Sequence, residues 1–417
     1  MPFCAFVLAV LLALALYWVK FDGNVTGFFR FGDRYPPSPL IEQDVRMSRD
    51  GQGYDGQFFL AIALDPLLQH PGSTEALDFP RYRYRRILYP LAGHVLGLGH
   101  PKAIPYTLVL INVLCIPILV LLGARLLGEV SGSKNTLLSI LVLAPVGVWV
   151  SFCLSTCDLM GTTLFLAALY AAARGRPGLS ALFVGCAGLT RETYLAIAVM
   201  LSMAPLLNRG NRRIEWRYLL SIIPGAWWLV HTMFRFPAGP DRVGEHFGAP
   251  LGGILGKLGG PLVEVGVART FDLFCFVLLL VAAVLATSLG AVCCLKSFGA
   301  MSRTGDNGTL TRSAPGEKED GSGLREQAGD EIGAFAGQVR SAPGGVVLLC
   351  GVPYVAILLL GTTRMFGYYA HHARIFMDLF LLMFLAGEAT RVRGVTRGVT
   401  VLSGLGSVAF VLHYTLG

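Results

Sequence analysis

Residues 104–124 read IPYTLVLINVLCIPILVLLGA, a run of 21 residues without a charged side chain. A helix of about 20 apolar residues is long enough to cross the hydrocarbon core of a bilayer. The run therefore predicts a transmembrane helix, which we place at residues 104–127. The composition agrees, because 54% of the 417 residues are hydrophobic and only 14% are charged, against roughly a quarter charged in soluble domains. It excludes a disordered chain, a nucleic-acid-binding domain and an ordinary cytosolic enzyme.

The other apolar segments predict further spans, and together they indicate an all-α polytopic membrane protein with about eleven transmembrane helices. The first segment has no basic residue before it and no small-residue cleavage site, so we interpret it as an uncleaved span. The further spans are placed at residues 3–19, 135–153, 159–173, 179–188, 194–207, 218–234, 272–295, 345–361, 375–387 and 398–414.

Basic residues lie in alternate loops, around residues 125–134, 174–176, 209–217, 296 onward and 391–397. Lys and Arg are enriched in cytoplasmic loops, which places the N-terminus in the cytoplasm and residues 20–103 in a long first outer loop. This alternation of inner and outer loops requires that residues 87–99 do not cross the membrane. That segment is short and interrupted by Pro90, so we predict an interfacial helix on the outer face.

The chain divides into three predicted regions. Residues 1–295 form the main transmembrane module, and residues 344–417 form the C-terminal transmembrane helices. Between them, residues 296–343 are rich in Gly, Ser and charged residues and poor in aliphatic ones. This composition cannot bury enough apolar surface to fold alone, and it predicts a flexible cytoplasmic loop.

The first loop contains the candidate catalytic group. Asp50 and Asp55 flank a Gly-Gln-Gly-Tyr stretch that includes Tyr54, and an apolar segment that we expect to form an amphipathic helix follows. A carboxylate beside an apolar surface suits a general base or a metal ligand, and glycines let a ligand approach the backbone. The alternative is that Asp55 is only a helix N-cap, which Asp often is.

An arginine-rich run, residues 81–86, leads into the predicted interfacial helix. Every cation in it is Arg, which binds phosphate in a bidentate manner better than Lys does. Arg85 and Arg86, nearest the membrane helix, are therefore candidate ligands of a lipid phosphate. Anchoring of Tyr and Arg at the membrane interface is an equally weighted alternative. We reject nucleic acid as a partner because the run abuts a membrane helix.

Further ionisable residues lie at the predicted outer ends of later spans. Arg191 and Glu192 interrupt two apolar segments, Asp158 begins a span, and Arg374 lies one turn into another. Charges at membrane edges are costly and usually serve a site. Arg191 and Arg374 are candidate phosphate ligands, whereas a structural salt bridge is the alternative for Arg191 with Glu192. Capping is the alternative for Asp158.

These features resemble the C-type glycosyltransferase superfamily (GT-C), in particular its bacterial mannosyltransferase-like branch. The resemblance rests on a first span followed by an outer loop with an acid, and it covers most of residues 1–210. The matching motifs lie at residues 53–63 (GYDGQFFLAIA), 86–91 (RILYPL) and 190–193 (TRET).

The resemblance implies transfer of a sugar from a polyprenyl-phosphate carrier to an acceptor hydroxyl, with Asp55 as the base or as a ligand of a divalent cation. Arg191, Arg374, Arg85 and Arg86 would then bind the phosphate. Asp50, Asp158, Glu192 and Tyr54 would support the site. The sequence lacks an Asp-x-Asp pair and a C-terminal soluble domain, so a glycan or lipid acceptor fits better than a protein. The metal requirement stays open.

Two other functions remain compatible with the sequence. A transporter or lipid flippase would have a similar number of spans, but it predicts polar groups near the membrane midplane and internal repeats. A non-catalytic scaffold subunit of an envelope-assembly complex would tolerate loss of the Asp55 carboxylate. The Gly/Ala/Arg-rich composition and the lack of a eukaryotic signal favour the bacterial inner membrane as the location.

Overall fold

The computed structural model describes residues 1–132, 136–207, 213–236, 247–259, 267–304, 343–366, 368–390 and 392–416. Within these ranges the protein is helical and contains no β-strand. Two isolated bridges, Phe31 with Met47 and Phe247 with Gly361, are the extended pairings found there. The all-helical class predicted from the sequence is therefore confirmed.

The helices of the N-terminal half coincide with the predicted apolar segments. They are α1 (Pro2–Ala15), α2 (Asp55–Leu64), α3 (Pro80–Arg83), α4 (Leu88–Leu96), α5 (Ile104–Ser131), α6 (Val146–Cys153), α7 (Asp158–Ala173), α8 (Pro177–Gly188) and α9 (Thr193–Met203). Helix α1 continues as a π-helical turn, Leu16–Lys20, and 3₁₀ turns occupy Val25–Phe29, Thr136–Leu143 and Ala204–Leu207.

The C-terminal half contains the remaining long helices and three short ones. In chain order they are α10 (Trp216–Arg235), α11 (Gly252–Gly259), α12 (Val267–Thr304), α13 (Pro343–Leu360), α14 (Thr363–Phe366), α15 (Tyr369–Ile375), α16 (Met377–Thr390) and α17 (Arg393–Leu416).

Among the residues that the structure describes, four helices are long and apolar enough to cross a membrane: Pro2–Lys20, Ile104–Ser131, Arg269–Val292 and Arg393–Leu416. A fifth candidate is the bent pair formed by Thr136–Leu143 and α6, whose axes differ by 62°. Other predicted spans, such as α7 and α8, correspond to shorter apolar helices. The structure thus supports a membrane protein, whereas the count of about eleven spans is not confirmed.

Helix α5 shows how the local sequence sets a long apolar helix. Pro105 lies in its first turn, where a backbone N–H would have no intrahelical acceptor. The helix ends at Gly132, whose φ of 64° is a left-handed conformation that glycine adopts without strain. Apolar residues such as Leu110 and Leu121 are exposed along it, which fits contact with lipid.

Short helices occupy the segment between α1 and α5. Helix α2 is buried along Gly56–Leu64, so the amphipathic pattern expected there is wrong: it packs against other elements on every side. Helix α4 is nine residues long and leaves Val95 and Leu96 exposed. A helix of this length is too short to cross a bilayer, as predicted for residues 87–99.

Residues 296–304, which we predicted as the first part of a flexible loop, are helical, because helix α12 continues to Thr304. Proline, the strongest helix breaker, does not occur between residues 267 and 304. Residues 305–342, and the basic loop residues 208–212, lie outside the described part of the chain.

Two glycines allow the elements around the site to approach closely. A Cβ on Gly56, in the first turn of α2, would collide with the carbonyl oxygen of Leu154, just after α6. A Cβ on Gly147, in α6, would collide with the carbonyl oxygen of Ala373 in α15. These contacts bring the beginnings of α2 and α7 and the short helix α15 together, although they are far apart in sequence.

Candidate functional site

Asp55 is the first residue of α2, and Tyr54 occupies the N-cap position in an extended conformation. The capping interpretation of Asp55 is therefore wrong. Instead, its Oδ1 accepts a 2.8 Å hydrogen bond from Nη1 of Arg83, and its Oδ2 accepts a 2.7 Å bond from Nη2 of Arg374. The side chain keeps 15% of its surface exposed, so it lies at the edge of the packed helices.

Asp158, the first residue of α7, is fully buried and also does not cap its helix. Its Oδ2 accepts hydrogen bonds from Nη1 of Arg374 at 2.7 Å and from Oγ1 of Thr156 at 2.9 Å. Its Oδ1 lies 2.6 Å from Nη1 of Arg191, an ion-pair contact outside hydrogen-bond geometry. Asp55, Asp158, Arg191 and Arg374 thus form one connected network.

Arg83 is a member of this network that the sequence interpretation did not select. Besides Asp55, it binds Asp78 through Nε and Nη2 at 2.7 Å each. Its guanidinium lies 4.3 Å from the ring centroid of Phe58. Arg85 was selected instead, but the partners of Asp55 are Arg83 and Arg374. The predicted binding of a phosphate by Arg85 stays a prediction.

Arg86 and Glu192 form the neighbouring ion pair. Nε of Arg86 lies 3.6 Å from Oε2 of Glu192, and its Nη2 donates a 2.6 Å hydrogen bond to the hydroxyl of Tyr82. Glu192 had been paired with Arg191 as a structural alternative. Arg191 instead faces Asp158, while Glu192 reaches back to the arginine-rich run.

Tyr54 forms the wall of the site next to Asp55. Its ring lies 4.8 Å from the guanidinium carbon of Arg374 and stacks on His371 at a centroid distance of 5.7 Å. Asp50, the other predicted supporting acid, points elsewhere: Oδ2 accepts a 2.6 Å bond from Nη2 of Arg30. The structure therefore places Tyr54 in the network and Asp50 beside it.

The charges of this network balance. Four carboxylates, Asp55, Asp78, Asp158 and Glu192, face the four guanidinium groups of Arg83, Arg86, Arg191 and Arg374. Burying charges is tolerated only when each has a partner. An incoming anion therefore competes with the carboxylate that is already paired with the arginine it binds.

The charge state of Asp55 follows from the same contacts. Burial raises the pKa of Asp55, but the positive charges of Arg83 and Arg374 outweigh burial and hold the pKa well below its ordinary value. Asp55 is therefore ionised at neutral pH. Displacement of either arginine would raise the pKa toward its ordinary value and increase the basicity of the carboxylate.

A divalent cation does not fit the residues around Asp55. Both carboxylate oxygens of Asp55 already accept hydrogen bonds from guanidinium groups, which would repel a metal ion. No cluster of three or more His, Cys, Asp or Glu side chains suited to a metal occurs among the residues that the structure describes.

Another buried carboxylate, Asp378 in α16, was not selected from the sequence. It accepts hydrogen bonds from Oγ1 of Thr162 at 2.5 Å, from the hydroxyl of Tyr194 at 2.7 Å, and from the hydroxyl of Tyr354. Its only sequence signal is a lone acid within an apolar run.

Comparison with known proteins gives no assignment. The chain matches no family model, no curated protein and no solved structure. A function must therefore be inferred from the side chains themselves. They form a network of charged groups that is nearly closed to solvent, reachable at Asp55, and built from residues up to 319 positions apart.

Proposed function

We propose that this protein is an integral-membrane glycosyltransferase that moves a sugar from a polyprenyl-phosphate carrier to an acceptor hydroxyl. The observation that carries the proposal is the meeting of Asp55 with Arg83 and Arg374, and through Arg374 with Asp158 and Arg191. A partly exposed carboxylate beside several guanidinium groups supplies a proton acceptor and anion ligands within one site.

The reaction proposed at this site is a displacement at the anomeric carbon of the sugar. The acceptor oxygen forms a bond to that carbon while the bond from the carbon to the phosphate oxygen breaks, and its electron pair leaves with the lipid phosphate. The hydroxyl proton moves to a carboxylate oxygen of Asp55. Arg374 and Arg191 stabilise the charge that develops on the departing phosphate.

The balanced charges suggest how substrate binding activates Asp55. When the phosphate takes Arg374 as a ligand, Asp55 loses one of its two cations. Its pKa then rises, and the carboxylate becomes a stronger base at the moment that the acceptor is present. Asp158 keeps its bond from Thr156 and holds Arg191 in place.

The membrane arrangement proposed for this activity is the one predicted from the sequence. About eleven segments cross the bacterial inner membrane, the N-terminus is cytoplasmic, and residues 20–103 form the outer loop. In this arrangement the shorter apolar helices cross the membrane as members of a helix bundle. The site then lies at the extracytoplasmic surface of the bilayer. There the charged head of the carrier reaches the polar site while its lipid tail stays in the bilayer.

The decisive experiment measures transfer from radiolabelled polyprenyl-phosphate sugars in membranes containing the full chain. We expect Asp55→Asn to abolish transfer and Arg191→Ala to reduce it strongly. Asp44→Asn is the matched control, because Asp44 is an exposed acid of the same segment. Transfer at the wild-type rate by Asp55→Asn, in protein with a normal unfolding midpoint, would exclude this mechanism and favour a scaffold.

The buried Asp378 cluster favours transport or lipid flipping as a second candidate. Its carboxylate lies between α7, α9, α13 and α16, as a substrate or proton site of a transporter would. Reconstituted vesicles distinguish the candidates. A transporter moves labelled lipid-linked sugar across the bilayer, and it loses this movement in Asp378→Asn but not in Asp55→Asn. A glycosyltransferase instead loses sugar transfer in Asp55→Asn but not in Asp378→Asn.

A further inference from the structure

A separate cleft of about 570 Å³ lies between the C-terminal ends of α1 and α17 and the segment at residues 46–50. Its volume is within the range of roughly 300–1,000 Å³ typical of small-molecule sites. Lys20 joins the two helix ends, because its ammonium group donates to the carbonyl oxygen of Tyr414 and lies 4.4 Å from the centroid of that ring. The cleft is therefore formed by defined contacts between the two helix ends.

Positive charge dominates this cleft. Lys20, Arg30, Arg46 and Arg49 line it, and Asp50 is the one acid in the lining. Arg30 pairs with Asp50, and Arg46 binds the mostly exposed Asp22 at 2.5 Å. Arg49 is exposed and forms no ion pair with another residue of the described chain. Unlike the network at Asp55, the cleft is lined by more cations than acids.

The rim of the cleft is apolar. Val19, at the end of the first candidate span, is 68% exposed, and Leu416, at the end of the last, is 79% exposed. Both helices belong to the four that are long and apolar enough to cross a membrane. A cationic interior that opens between two such helix ends matches a molecule with an anionic head and an apolar tail.

The backbone that carries the cations is held in a defined conformation. Oγ1 of Thr26 accepts a 2.8 Å bond from the N–H of Arg46, and the amide of Asn24 donates 2.8 Å to the carbonyl of Asp44. Arg30 adopts a φ of 46°, a left-handed conformation that is costly for a residue with a Cβ. These constraints orient the cations before a ligand arrives.

We propose that this cleft binds the phosphate head of a membrane amphiphile. The cations bind the head by charge-assisted hydrogen bonds, while the tail leaves between the ends of α1 and α17 into lipid. Phosphate is favoured over a carboxylate because it has more acceptor oxygens and more charge, so it binds more than one of the three arginines at once. Binding requires the membrane-facing cleft but no transfer of a sugar. The proposal therefore goes beyond the transferase function and does not depend on it.

The cleft is connected to the carboxylate network by a short row of aromatic rings. Tyr368 lines the cleft and contacts His371 edge to face at 5.8 Å, and His371 stacks on Tyr54, whose ring lies under Arg374. The N–H of Tyr54 also donates 3.0 Å to the carbonyl of Arg30. An occupied cleft therefore lies next to Asp55 without displacing its arginines.

The test titrates the purified full chain in detergent micelles with farnesyl phosphate, farnesol and inorganic phosphate by calorimetry. We expect saturable binding of farnesyl phosphate that weakens with salt, and affinities lower by about tenfold or more for the other two. The double variant Arg46→Gln/Arg49→Gln should lose about tenfold or more in affinity for farnesyl phosphate. Its matched control is Arg34→Gln/Lys102→Gln, which removes two exposed cations outside the cleft.

The outcomes separate the cleft from the transferase proposal. Unchanged binding by Arg46→Gln/Arg49→Gln, equal binding of farnesol, or equal binding of inorganic phosphate each overturns the lipid-phosphate site. Asp55→Asn should retain binding, because Asp55 does not line the cleft. Loss of transfer in Asp55→Asn with wild-type binding in the cleft variant would therefore uphold the transferase and reject the cleft. An unchanged unfolding midpoint shows that each variant is folded.

Discussion

Arg374 donates a 2.7 Å hydrogen bond to Asp55, which precedes it by 319 residues. The other nitrogen of the same guanidinium donates at 2.7 Å to Asp158. Arg374 is 4% exposed and Asp158 fully buried, so one cation bridges two carboxylates that would otherwise repel each other. The planar fork of Arg suits this double role better than the point charge of Lys.

Replacing Arg374 by Leu should therefore destabilise the protein severely. The change leaves Asp158 with one cation and Asp55 with one, in a site that water hardly reaches. Breaking a buried ion pair typically costs about 3–5 kcal/mol. Denaturant unfolding of the full chain in micelles measures this loss. Lys102→Gln is the control, since its exposed pair with Glu42 should contribute about 1 kcal/mol or less; equal effects of the two changes would contradict the buried network.

Arg83 and Arg34 offer a paired test of one buried and one exposed arginine. Arg83 bridges Asp55 and Asp78, and all three side chains are mostly buried, whereas Arg34 is exposed. We expect Arg83→Gln to lower the free energy of unfolding by about 3 kcal/mol and Arg34→Gln to change it by about 0.5 kcal/mol or less. The same unfolding measurement on both variants decides the question. A larger loss for Arg34→Gln would contradict the buried bridge.

The sequence predicted that arginines of this run serve the site, and it selected Arg85 and Arg86 but not Arg83. Arg85 and Arg86 are adjacent and cannot share a helical face, whereas residues three apart can. Arg83 and Arg86, at the end of α3 and the turn that follows it, point toward Asp55 and Glu192 respectively. Helical spacing within the run was therefore a usable signal.

Other features could not be predicted from the sequence. The contact of Arg374 with Asp55 depends on close packing at Gly56 and Gly147, which no local pattern reveals. The hydroxyls around Asp378 come from three separate helices. By contrast, hydropathy located the apolar helices well, since a lipid-facing helix must be apolar along its length. It could not fix how many of the shorter ones cross.

The acid stability of the protein should depend on Asp55. Its pKa is lowered on folding by Arg83 and Arg374 in spite of burial. The carboxylate therefore contributes stability above the unfolded pKa of about 3.9, and this contribution is lost as pH falls through the lower folded pKa. Below about pH 4 the wild type should lose stability more steeply than Asp55→Asn. The check is the unfolding midpoint measured between about pH 3 and 7; Asp44→Asn should parallel the wild type.

His372 provides an opposite kind of pH dependence. Its imidazole is fully buried in α15, with neither nitrogen hydrogen-bonded to the residues that the structure describes, and the edge of Phe276 lies nearby. Burial, with smaller contributions from the positive charges of Lys257 and His371, lowers the pKa of His372 to about 3. The folded protein therefore holds this side chain neutral, whereas the unfolded chain protonates it below about pH 6.5.

Removal of this imidazole should stabilise the protein increasingly as pH falls. Because the unfolded state binds the extra proton, the wild type loses about 1.4 kcal/mol per pH unit relative to His372→Leu below about pH 6.5. At neutral pH the variant should be as stable as the wild type or slightly more so, since it removes a buried group without hydrogen bonds. Unfolding free energies of both proteins between about pH 4.5 and 7.5 give the difference directly. A difference that does not change with pH would mean that folding leaves the pKa of His372 unchanged, which would contradict its burial without a hydrogen-bond partner.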